Sequence, residues 1–246
     1  MDLRGRVALV TGGGRRVGRT MAVALGARGA SVAVHYNESE DGANEVVRAL
    51  IAAGGQAKAF SAQLAQADAS AALIRDVVAA YGQLDVLVNS AAIMVRTPFG
   101  EVSAGDWDRM FALNLRAPFL LSQAAAPYLK KARGAIVNIA DLAAYETWPG
   151  YIPHGLTKAG VVYATRALAK VMAPEVRVNA IAPGTVLLPD DWNAKDAEHL
   201  NATTPLKRSG TPDDVANAML FLLDSDYITG DVIIVDGGRH IRGSTT

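Results

Sequence analysis

The sequence predicts an α/β protein: a single domain with a doubly wound, seven-stranded parallel sheet flanked by helices. Two observations predict this fold class. Short apolar runs rich in β-branched residues alternate with longer amphipathic stretches along the chain of 246 residues, and a glycine cluster follows the first apolar run. Parallel strands that are buried on both faces are apolar throughout. Strict alternation of strands and helices implies right-handed crossovers between parallel strands.

Seven segments have the length and composition of buried strands. They are Val7–Thr11, Ser31–Tyr36, Ala57–Ser61, Asp85–Asn89, Ala135–Ala140, Arg177–Ala182 and Asp231–Val235. Six stretches between them have the apolar spacing of helices. They are Val17–Arg28, Glu40–Ala53, Ala67–Tyr81, Ala104–Ala132, Ile152–Met172 and Pro212–Leu223. The last of these begins after Thr211, whose hydroxyl is a good helix cap, and Pro212 suits the first turn.

Composition narrows the class of protein. Lys plus Arg and Asp plus Glu balance at 24 each, so no electrostatic reason favours nucleic acid or an anionic membrane as a partner. The chain has no cysteine, which excludes disulfides and thiolate metal sites and fits a reducing compartment. No segment reaches the ~20 apolar residues that span a bilayer, and no signal-peptide run precedes the first strand. We expect a soluble, cytoplasmic protein with no metal site.

The chain is predicted to form one domain over residues 1–246, with a single segment of weak patterning. Residues 185–205, between the sixth strand and the last helix, contain Pro189, Asp190, Asp191 and Trp192. A segment of this length without regular periodicity is either a mobile lid over a substrate or a packed surface loop. Both interpretations stay open.

A glycine-rich turn follows the first strand and leads into the first helix. It reads Thr11-Gly12-Gly13-Gly14-Arg15-Arg16-Val17-Gly18. Glycines at this place let the backbone turn tightly and approach a pyrophosphate, whose charge lies against the helix N-terminus. The strand–turn–helix context predicts a dinucleotide site of the Rossmann type. The contacts expected from the turn are Gly12, Arg15, Arg16 and Val17.

The turn and three further motifs resemble the short-chain dehydrogenase/reductase family over essentially the whole chain. The turn is similar to the family's TGxxxGxG fingerprint, with Arg16 at the middle glycine. Asn89-Ser90-Ala91-Ala92 resembles the NNAG motif, Asn114 the asparagine of the fourth helix, and residues 179–184 the NxxxPG segment. The resemblance implies a Rossmann-fold oxidoreductase. It places further cofactor contacts at Asn89, Ala91, Pro183 and Gly184.

Local similarities point to one branch of the family. The TGxxxRxG form of the turn resembles the pteridine reductases, as do the His-Tyr-Asn-Glu-Ser run at residues 35–39 and residues 174–179. We therefore expect a pteridine reductase-like member.

The end of the second strand indicates which nicotinamide is bound. A site specific for NAD places a carboxylate there to bind the ribose 2′-hydroxyl, whereas this chain has Tyr36 and Asn37. Arg15 and Arg16 in the adjacent turn can hold a phosphate bidentately. We therefore predict NADP(H) as the cofactor. The other contacts expected in this half of the site are Ser39 and, by resemblance, Gln63 and Leu64 beside the adenine.

The resemblance also implies a set of catalytic positions. Reductases of the family use a tyrosine as general acid, and a lysine four residues later on the same helix face holds the nicotinamide ribose. In this chain the lysine is Lys158, but His154 stands at the position of the tyrosine. Asp141, thirteen residues earlier, stands where most members have serine and pteridine reductases have aspartate. Asn114 completes the expected set.

Three interpretations of His154 stay open. In the first, His154 replaces the tyrosine as proton donor and Asp141 stabilises its imidazolium. In the second, Tyr151 supplies a hydroxyl from one helical turn earlier. In the third, the protein is a catalytically impaired NADP(H)-binding module that senses redox state or binds a partner. Loss of one acid–base group typically costs only ~10²–10⁴ in rate, so weak reductase activity can survive.

The expected substrate is a small carbonyl compound or a pteridine, walled by Met94, Tyr151 and Trp192. An aromatic side chain that would stack on a pterin is missing after the Asn89–Ala92 motif, so a carbonyl compound is as well supported. The family commonly assembles by pairing its fourth and fifth helices. The Ala-rich residues 117–127 and the stretch Val161–Met172 offer such surfaces, so we expect a homotetramer or homodimer.

Overall fold

The computed structural model describes residues 1–187 and 193–241. The strands are β1 (Val7–Val10), β2 (Ser31–Tyr36), β3 (Ala57–Ser61), β4 (Val86–Asn89), β5 (Ala135–Ile139), β6 (Arg177–Pro183) and β7 (Val232–Val235). The α-helices are α1 (Arg16–Ala27), α2 (Glu40–Ala52), α3 (Ala69–Tyr81), α4 (Ala104–Phe111), α5 (Ala117–Ala132), α6 (Ile152–Met172), α7 (Ala194–Thr203) and α8 (Pro212–Asp224). In this part of the chain no helix is both long and apolar enough to cross a membrane.

All seven strands form one parallel sheet in the order β3-β2-β1-β4-β5-β6-β7. The chain winds outward from β1 through β2 and β3, then returns to the other side of β1 as β4. This confirms the predicted doubly wound Rossmann sheet. Ligands of such sheets bind beyond the carboxyl ends of the strands at the point where the winding reverses, which here lies between β1 and β4.

The sheet separates two apolar layers because successive strand residues face opposite sides. Val10 belongs to the layer that packs on α1, α2 and α8. Its neighbour Leu9 belongs to the layer that packs on α3, α5 and α6. With helices on both faces the central strands β1 and β4 are buried throughout, which explains why they lack the alternating pattern of half-exposed strands. The edge strands β3 and β7 are only partly buried.

The predicted single helix over Ala104–Ala132 is wrong in its middle. A π-helical turn over Ala112–Arg116 separates α4 from α5, and the amide of Ala117 donates to the carbonyl of Ala112, five residues earlier. Pro118 has no N–H and cannot donate to the carbonyl of Asn114, so the regular ladder is interrupted at this point. The irregular turn carries Asn114, which is buried.

The interpretation of residues 185–205 as unpatterned was incomplete, because α7 lies within them. Asn193 caps α7: its Oδ1 accepts hydrogen bonds from the amides of Lys195 (2.8 Å) and Asp196 (3.3 Å), and Asp196 Oδ2 accepts the Asn193 amide at 2.9 Å. Leu200 is the only buried residue that α7 contributes, so the helix has too little apolar periodicity to be recognised. The residues Pro189, Asp190, Asp191 and Trp192 lie outside the described part of the chain.

Candidate functional site

The glycine turn lies between β1 and α1 and is packed so tightly that two of its glycines have no room for a side chain. A Cβ on Gly18 would lie 2.2 Å from the carbonyl oxygen of Gly12. A Cβ on Gly14 would lie 2.9 Å from the amide nitrogen of Ala43 in α2. Gly12 itself has a φ of +66°, which favours glycine. The fingerprint residues therefore allow a close turn that opens at the N-terminus of α1.

Arg16 occupies the left-handed region, with a φ of +50°. For a residue with a side chain this conformation costs roughly 1–2 kcal/mol, which explains why glycine is the ordinary choice at this position. Arg15 precedes it as the N-cap of α1, and both arginines are exposed. Residues held in strained conformations are concentrated at ligand sites, and here the strain presents two cations beside the turn.

Thr11 binds the turn to the end of β4 by hydrogen bonds, a role that the sequence did not reveal. Its Oγ1 accepts the amides of Ser90 (2.9 Å) and Ala91 (3.0 Å) and donates to the Val88 carbonyl at 3.3 Å. Thr11 thus joins the glycine-rich turn, to which it belongs, to the Asn89–Ala92 motif.

His35 is a second residue that sequence reasoning missed. It is 2 % exposed at the end of β2. The amide of Gly12 donates to its Nδ1 at 3.1 Å, and its Nε2 lies 3.0 Å from the carbonyl oxygen of Ala62. Burial lowers the pKa of His35 to about 4, so the ring is neutral at neutral pH.

The residues predicted beside the adenosine follow β2 and β3, which are adjacent. The amide of Ala62 donates to the carbonyl of Tyr36 at 3.0 Å, so the two strand ends are held together. Asn37 and Gln63 are exposed, while Tyr36 and Ser39 are half-buried. Leu64 is buried and packs in the layer under α3.

Asn89 ends β4 within a buried polar network. Its Nδ2 donates to Asn138 Oδ1 at 2.8 Å and to Ser122 Oγ at 3.3 Å. Its Oδ1 is buried and has no hydrogen-bond partner within the described part of the chain. A buried acceptor without a donor is costly, and it is suited to accept a hydrogen bond from a ligand at this sheet edge.

Pro183 ends β6, two strands from β4, and Gly184 follows it. A Cβ on Gly184 would lie 2.8 Å from the Cβ of Asp236, and the Gly184 amide donates to Val235 at 2.9 Å. Packing against the segment after β7 thus accounts for this glycine without a ligand.

The predicted catalytic positions come together beyond the ends of β4 and β5. His154 lies in the first turn of α6, and its Nε2 is 3.6 Å from Asp141 Oδ2. Its Nδ1 lies 3.3 Å from the carbonyl oxygen of Ile93. Because a carbonyl oxygen only accepts, Nδ1 carries the proton of that bond. The Nε2 atom is buried without a hydrogen-bond partner among residues 1–187 and 193–241.

Lys158 lies one helical turn after His154 and is 4 % exposed. Its Nζ donates to the carbonyl of Ile139, at the end of β5, at 2.8 Å. Burial lowers the pKa of Lys158 to about 8, and the charge of Asp141 opposes that shift. A buried ammonium with a lowered pKa, at the sheet edge where ligands of this fold bind, is a candidate functional group.

Asn114 holds the backbone that His154 contacts. Its Oδ1 accepts the Ile93 amide at 2.9 Å, and its Nδ2 donates to the Ile93 carbonyl at 2.8 Å. Thr157 connects the two sides, since it accepts from Asn114 Nδ2 at 3.3 Å and donates to the His154 carbonyl at 2.7 Å. Thr157 was also missed, because a threonine inside a helix carries no functional signal in sequence.

Tyr151 is not joined to this cluster. It precedes α6, and its ring packs edge-on against Trp148 with the centroids 6.3 Å apart. In the described ranges its hydroxyl makes no hydrogen bond to the protein. The arrangement therefore offers three ionisable groups for proton transfer: Asp141, His154 and Lys158. Among the described residues no group of three or more His, Asp or Glu side chains could hold a metal ion.

Comparison with known proteins assigns the family. The family model described as enoyl-(acyl carrier protein) reductase matches residues 14–240. A 3-oxoacyl-[acyl-carrier-protein] reductase of Synechocystis sp. is 39% identical over 241 residues, which cover 96% of this chain and 97% of that protein.

Solved structures agree with this assignment. A short-chain dehydrogenase/reductase from Serratia marcescens superposes with a TM-score of 0.91 at 32% identity, covering 98% of this chain and 100% of that one. A blue fluorescent protein from a metagenomic library, solved in complex with NADPH, has a TM-score of 0.90 at 33% identity and covers 97% and 99%. The chain is an oxidoreductase that belongs to the short-chain dehydrogenase/reductase family.

Proposed function

We propose that this protein is an NADP(H)-dependent reductase of 3-oxoacyl or related small carbonyl compounds. The observation that carries the proposal is the cluster of Asp141, His154 and Lys158 at the sheet edge where ligands of this fold bind. The cluster keeps an acid, a base and a buried cation together, although the family's tyrosine is replaced by His154.

The residues present fit a phosphorylated dinucleotide. A Cβ on Gly12 or Gly18 would meet neighbouring backbone atoms at 3.1 Å or 2.2 Å, so the turn keeps the close form that suits a pyrophosphate. Asn89 Oδ1 is a buried acceptor without a donor among the described residues. Arg15 and Arg16 are the cations for a 2′-phosphate, and Tyr36 brings no carboxylate to oppose it. The NADPH complex of the metagenomic relative supports the same choice.

The other contacts follow from the turn and the strand ends. We assign backbone contacts to Val17 and Ala91, polar contacts to Asn37 and Ser39, the adenine wall to Gln63 and Leu64, the nicotinamide side to Pro183 and Gly184, and the ribose to Lys158. When bound, NADPH supplies a hydride to the carbonyl carbon of the substrate.

Exposure distinguishes the roles of Asp141 and His154. The side chain of His154 is 3 % exposed, whereas that of Asp141 is 22 % exposed. We therefore place Asp141 against the substrate oxygen, with His154 behind it. The Nδ1 proton is held by Ile93, so in the imidazolium form the proton that can move is the second one, on Nε2. Asp141 receives that proton and gives a proton to the substrate oxygen, which becomes a hydroxyl, so His154 ends neutral and Asp141 ends as a carboxylate.

The activity of one of the relatives favours a 3-oxoacyl substrate over a pteridine. The relative from Synechocystis sp. reduces 3-oxoacyl groups on a carrier protein, as its name states. Met94, 48 % exposed beside the site, offers an apolar wall for an acyl chain and no aromatic face for a pterin. The pteridine reductase-like assignment rests on local motifs alone.

The test is NADPH oxidation by the purified protein with three substrates: an acetoacetyl thioester, a pterin and a small ketone. We expect turnover of the thioester, and losses of about 10²–10⁴ in kcat for Asp141→Asn and for His154→Gln. Tyr151→Phe is the matched control and should keep full activity. Turnover of the pterin alone would overturn the substrate assignment.

The same assay separates catalysis from cofactor binding alone. If the wild type binds NADPH but oxidises it with none of the three substrates, while His154→Tyr oxidises it with at least one of them, the protein is an impaired binding module. If Tyr151→Phe abolishes turnover, the donor is Tyr151 and not the Asp141–His154 pair.

We further propose that the protein self-associates through α5 and α6. A groove of about 1000 Å³ between α4, α5 and α6 is lined mostly by apolar and small residues, among them Phe119, Gly160 and Ala164, with Asp108, Arg109 and Arg116 as its charged members. Tyr163 and Phe119, which both line this groove, are 76 % and 47 % exposed, and an exposed apolar patch of this kind marks an interaction surface. Light scattering should give a homodimer or homotetramer that Tyr163→Glu dissociates and Tyr227→Glu, at another exposed tyrosine, does not.

A further inference from the structure

The geometry points to His35 as the positioning residue of the dinucleotide turn, acting in its neutral form with the proton on Nε2. This inference rests on the proposed cofactor site. His35 lies at the end of β2 and is not part of the Asp141–His154–Lys158 cluster. Its contacts are to backbone atoms on both sides of the cofactor site.

The two hydrogen bonds define the state of the ring. The Gly12 amide donates to Nδ1 at 3.1 Å, so Nδ1 carries a lone pair. The Ala62 carbonyl accepts from Nε2 at 3.0 Å, so Nε2 carries the proton. A protonated ring, or the other neutral tautomer, would place a proton on Nδ1 against the Gly12 amide. One form of the imidazole therefore satisfies both partners.

His35 also holds the turn through its backbone. Its carbonyl accepts the amide of Gly13 at 2.9 Å, so side chain and main chain of one residue take two successive amides of the turn. Gly12 stands at a φ of +66°, one of the many conformations that glycine can adopt, so the hydrogen bonds to His35 help to select it. These contacts fix the direction in which the remaining amides of the turn point.

The far end of the imidazole reaches the other half of the site. Ala62 immediately follows β3 and precedes Gln63 and Leu64, the residues assigned to the adenine. A rigid ring thus spans from the pyrophosphate turn to the adenine wall. Because the ring is 2 % exposed, it acts on the cofactor through Gly12 and Ala62 and not by direct contact.

The experiment compares three substitutions by their dissociation constants for NADPH and for adenosine 2′,5′-bisphosphate, which carries the adenosine half alone. His35→Phe keeps the ring volume but leaves both backbone groups without a partner. We expect this variant to raise the dissociation constants of both ligands about tenfold to hundredfold. His35→Asn retains an acceptor near the Nδ1 position and should restore NADPH binding to within about threefold of the wild type.

In His35→Gln the amide group reaches towards the Ala62 carbonyl. This variant should restore binding of the bisphosphate more than it restores binding of NADPH. Asp85→Asn, at the opposite end of the sheet, is the control for lost stability and should leave both dissociation constants unchanged. Nitrogen-15 NMR of the ligand-free protein should show Nε2 protonated and Nδ1 unprotonated.

The outcomes distinguish the two proposals. A wild type that binds neither ligand refutes the proposed cofactor site. A wild type that binds both, together with a His35→Phe variant of equal affinity or a proton found on Nδ1, refutes the positioning role alone. Equal weakening by His35→Phe and His35→Asn would also count against it, since the retained acceptor would then have no effect.

Discussion

His154 Nε2 lies 3.6 Å from Asp141 Oδ2, and we propose that this pair does the work of the single phenol in the family's site. The distance is too long for a hydrogen bond but short enough for a strong interaction between an imidazolium and a carboxylate. The buried partner is anchored through Nδ1 to Ile93, and the more exposed partner faces the sheet edge. In the proposed mechanism His154 therefore stores the proton and Asp141 delivers it.

A double-mutant cycle tests whether the two residues act in series. Asp141→Asn and His154→Gln should each lower kcat, and the double variant should lose little more than the more damaged single variant. Residues that work as one unit give strongly non-additive losses. The measurement is kcat with NADPH saturating and the best carbonyl substrate varied. Losses that multiply across the cycle would mean that the two groups act independently.

The buried ammonium of Lys158 makes the free energy of unfolding depend on pH in the alkaline range. Burial lowers its pKa from an ordinary 10.5 to about 8, so between these pH values the unfolded chain binds more protons than the folded one. The free energy of unfolding therefore rises as pH increases from about 8 to about 10.5, by at most about 3 kcal/mol. Urea unfolding at several pH values should show this rise in the wild type and lose it in Lys158→Met.

Tyr81 is the internal check on that measurement. Burial raises its pKa to about 12, which lowers stability above about pH 10 in both proteins and so cancels in their difference. If wild type and Lys158→Met give parallel curves from pH 7 to 10, the ammonium of Lys158 is not desolvated as the structure indicates.

The sheet and most helices were predictable from the sequence because burial on both faces leaves an apolar signature. The proximity of Asn114, Asp141, His154 and Lys158 was predictable because each belongs to a motif, and their catalytic roles stay predictions. Thr11, His35 and Thr157 were not found, since each acts through hydrogen bonds to backbone atoms distant in sequence. Hydrophobic periodicity contains no information about such bonds.

Two local errors have the same kind of origin. The interruption at Ala112–Arg116 arises because Pro118 has no N–H to donate to the Asn114 carbonyl. The apolar pattern of the sequence continues through this turn unchanged, so the pattern does not reveal the interruption. Helix α7 is held by the cap at Asn193 and by a single buried leucine, Leu200, so it is defined by polar contacts that a search for apolar stripes misses.

Gly18→Ala should abolish cofactor binding through the backbone alone. The added Cβ would meet the Gly12 carbonyl oxygen at 2.2 Å, and neither atom belongs to a flexible side chain. We expect a loss of several kcal/mol in stability, typical of overpacked or strained sites, and no measurable NADPH binding. Thermal unfolding and a fluorescence titration measure the two effects.

The matched control is Gly105→Ala in the first turn of α4, where the nearest atom to a new Cβ is 3.8 Å away. This variant should bind NADPH normally and gain up to about 1 kcal/mol from helix propensity. Normal binding by Gly18→Ala would show that the turn can shift without cost, contrary to its packing.

Arg16→Gly should make the protein more stable and less selective for the phosphorylated cofactor. Glycine relieves the left-handed conformation at a φ of +50°, and the gain is about 0.5–1 kcal/mol after the greater flexibility of unfolded glycine is included. Loss of the guanidinium should raise the dissociation constant for NADPH about tenfold and leave that for NADH unchanged.

Arg133→Gly is the control, because Arg133 ends α5 with the same φ of +50°. It should give a similar stability gain with both dissociation constants unaltered. Equal weakening of NADPH and NADH by Arg16→Gly would instead assign Arg16 to shaping the turn, and the preference for the 2′-phosphate would then rest on Arg15.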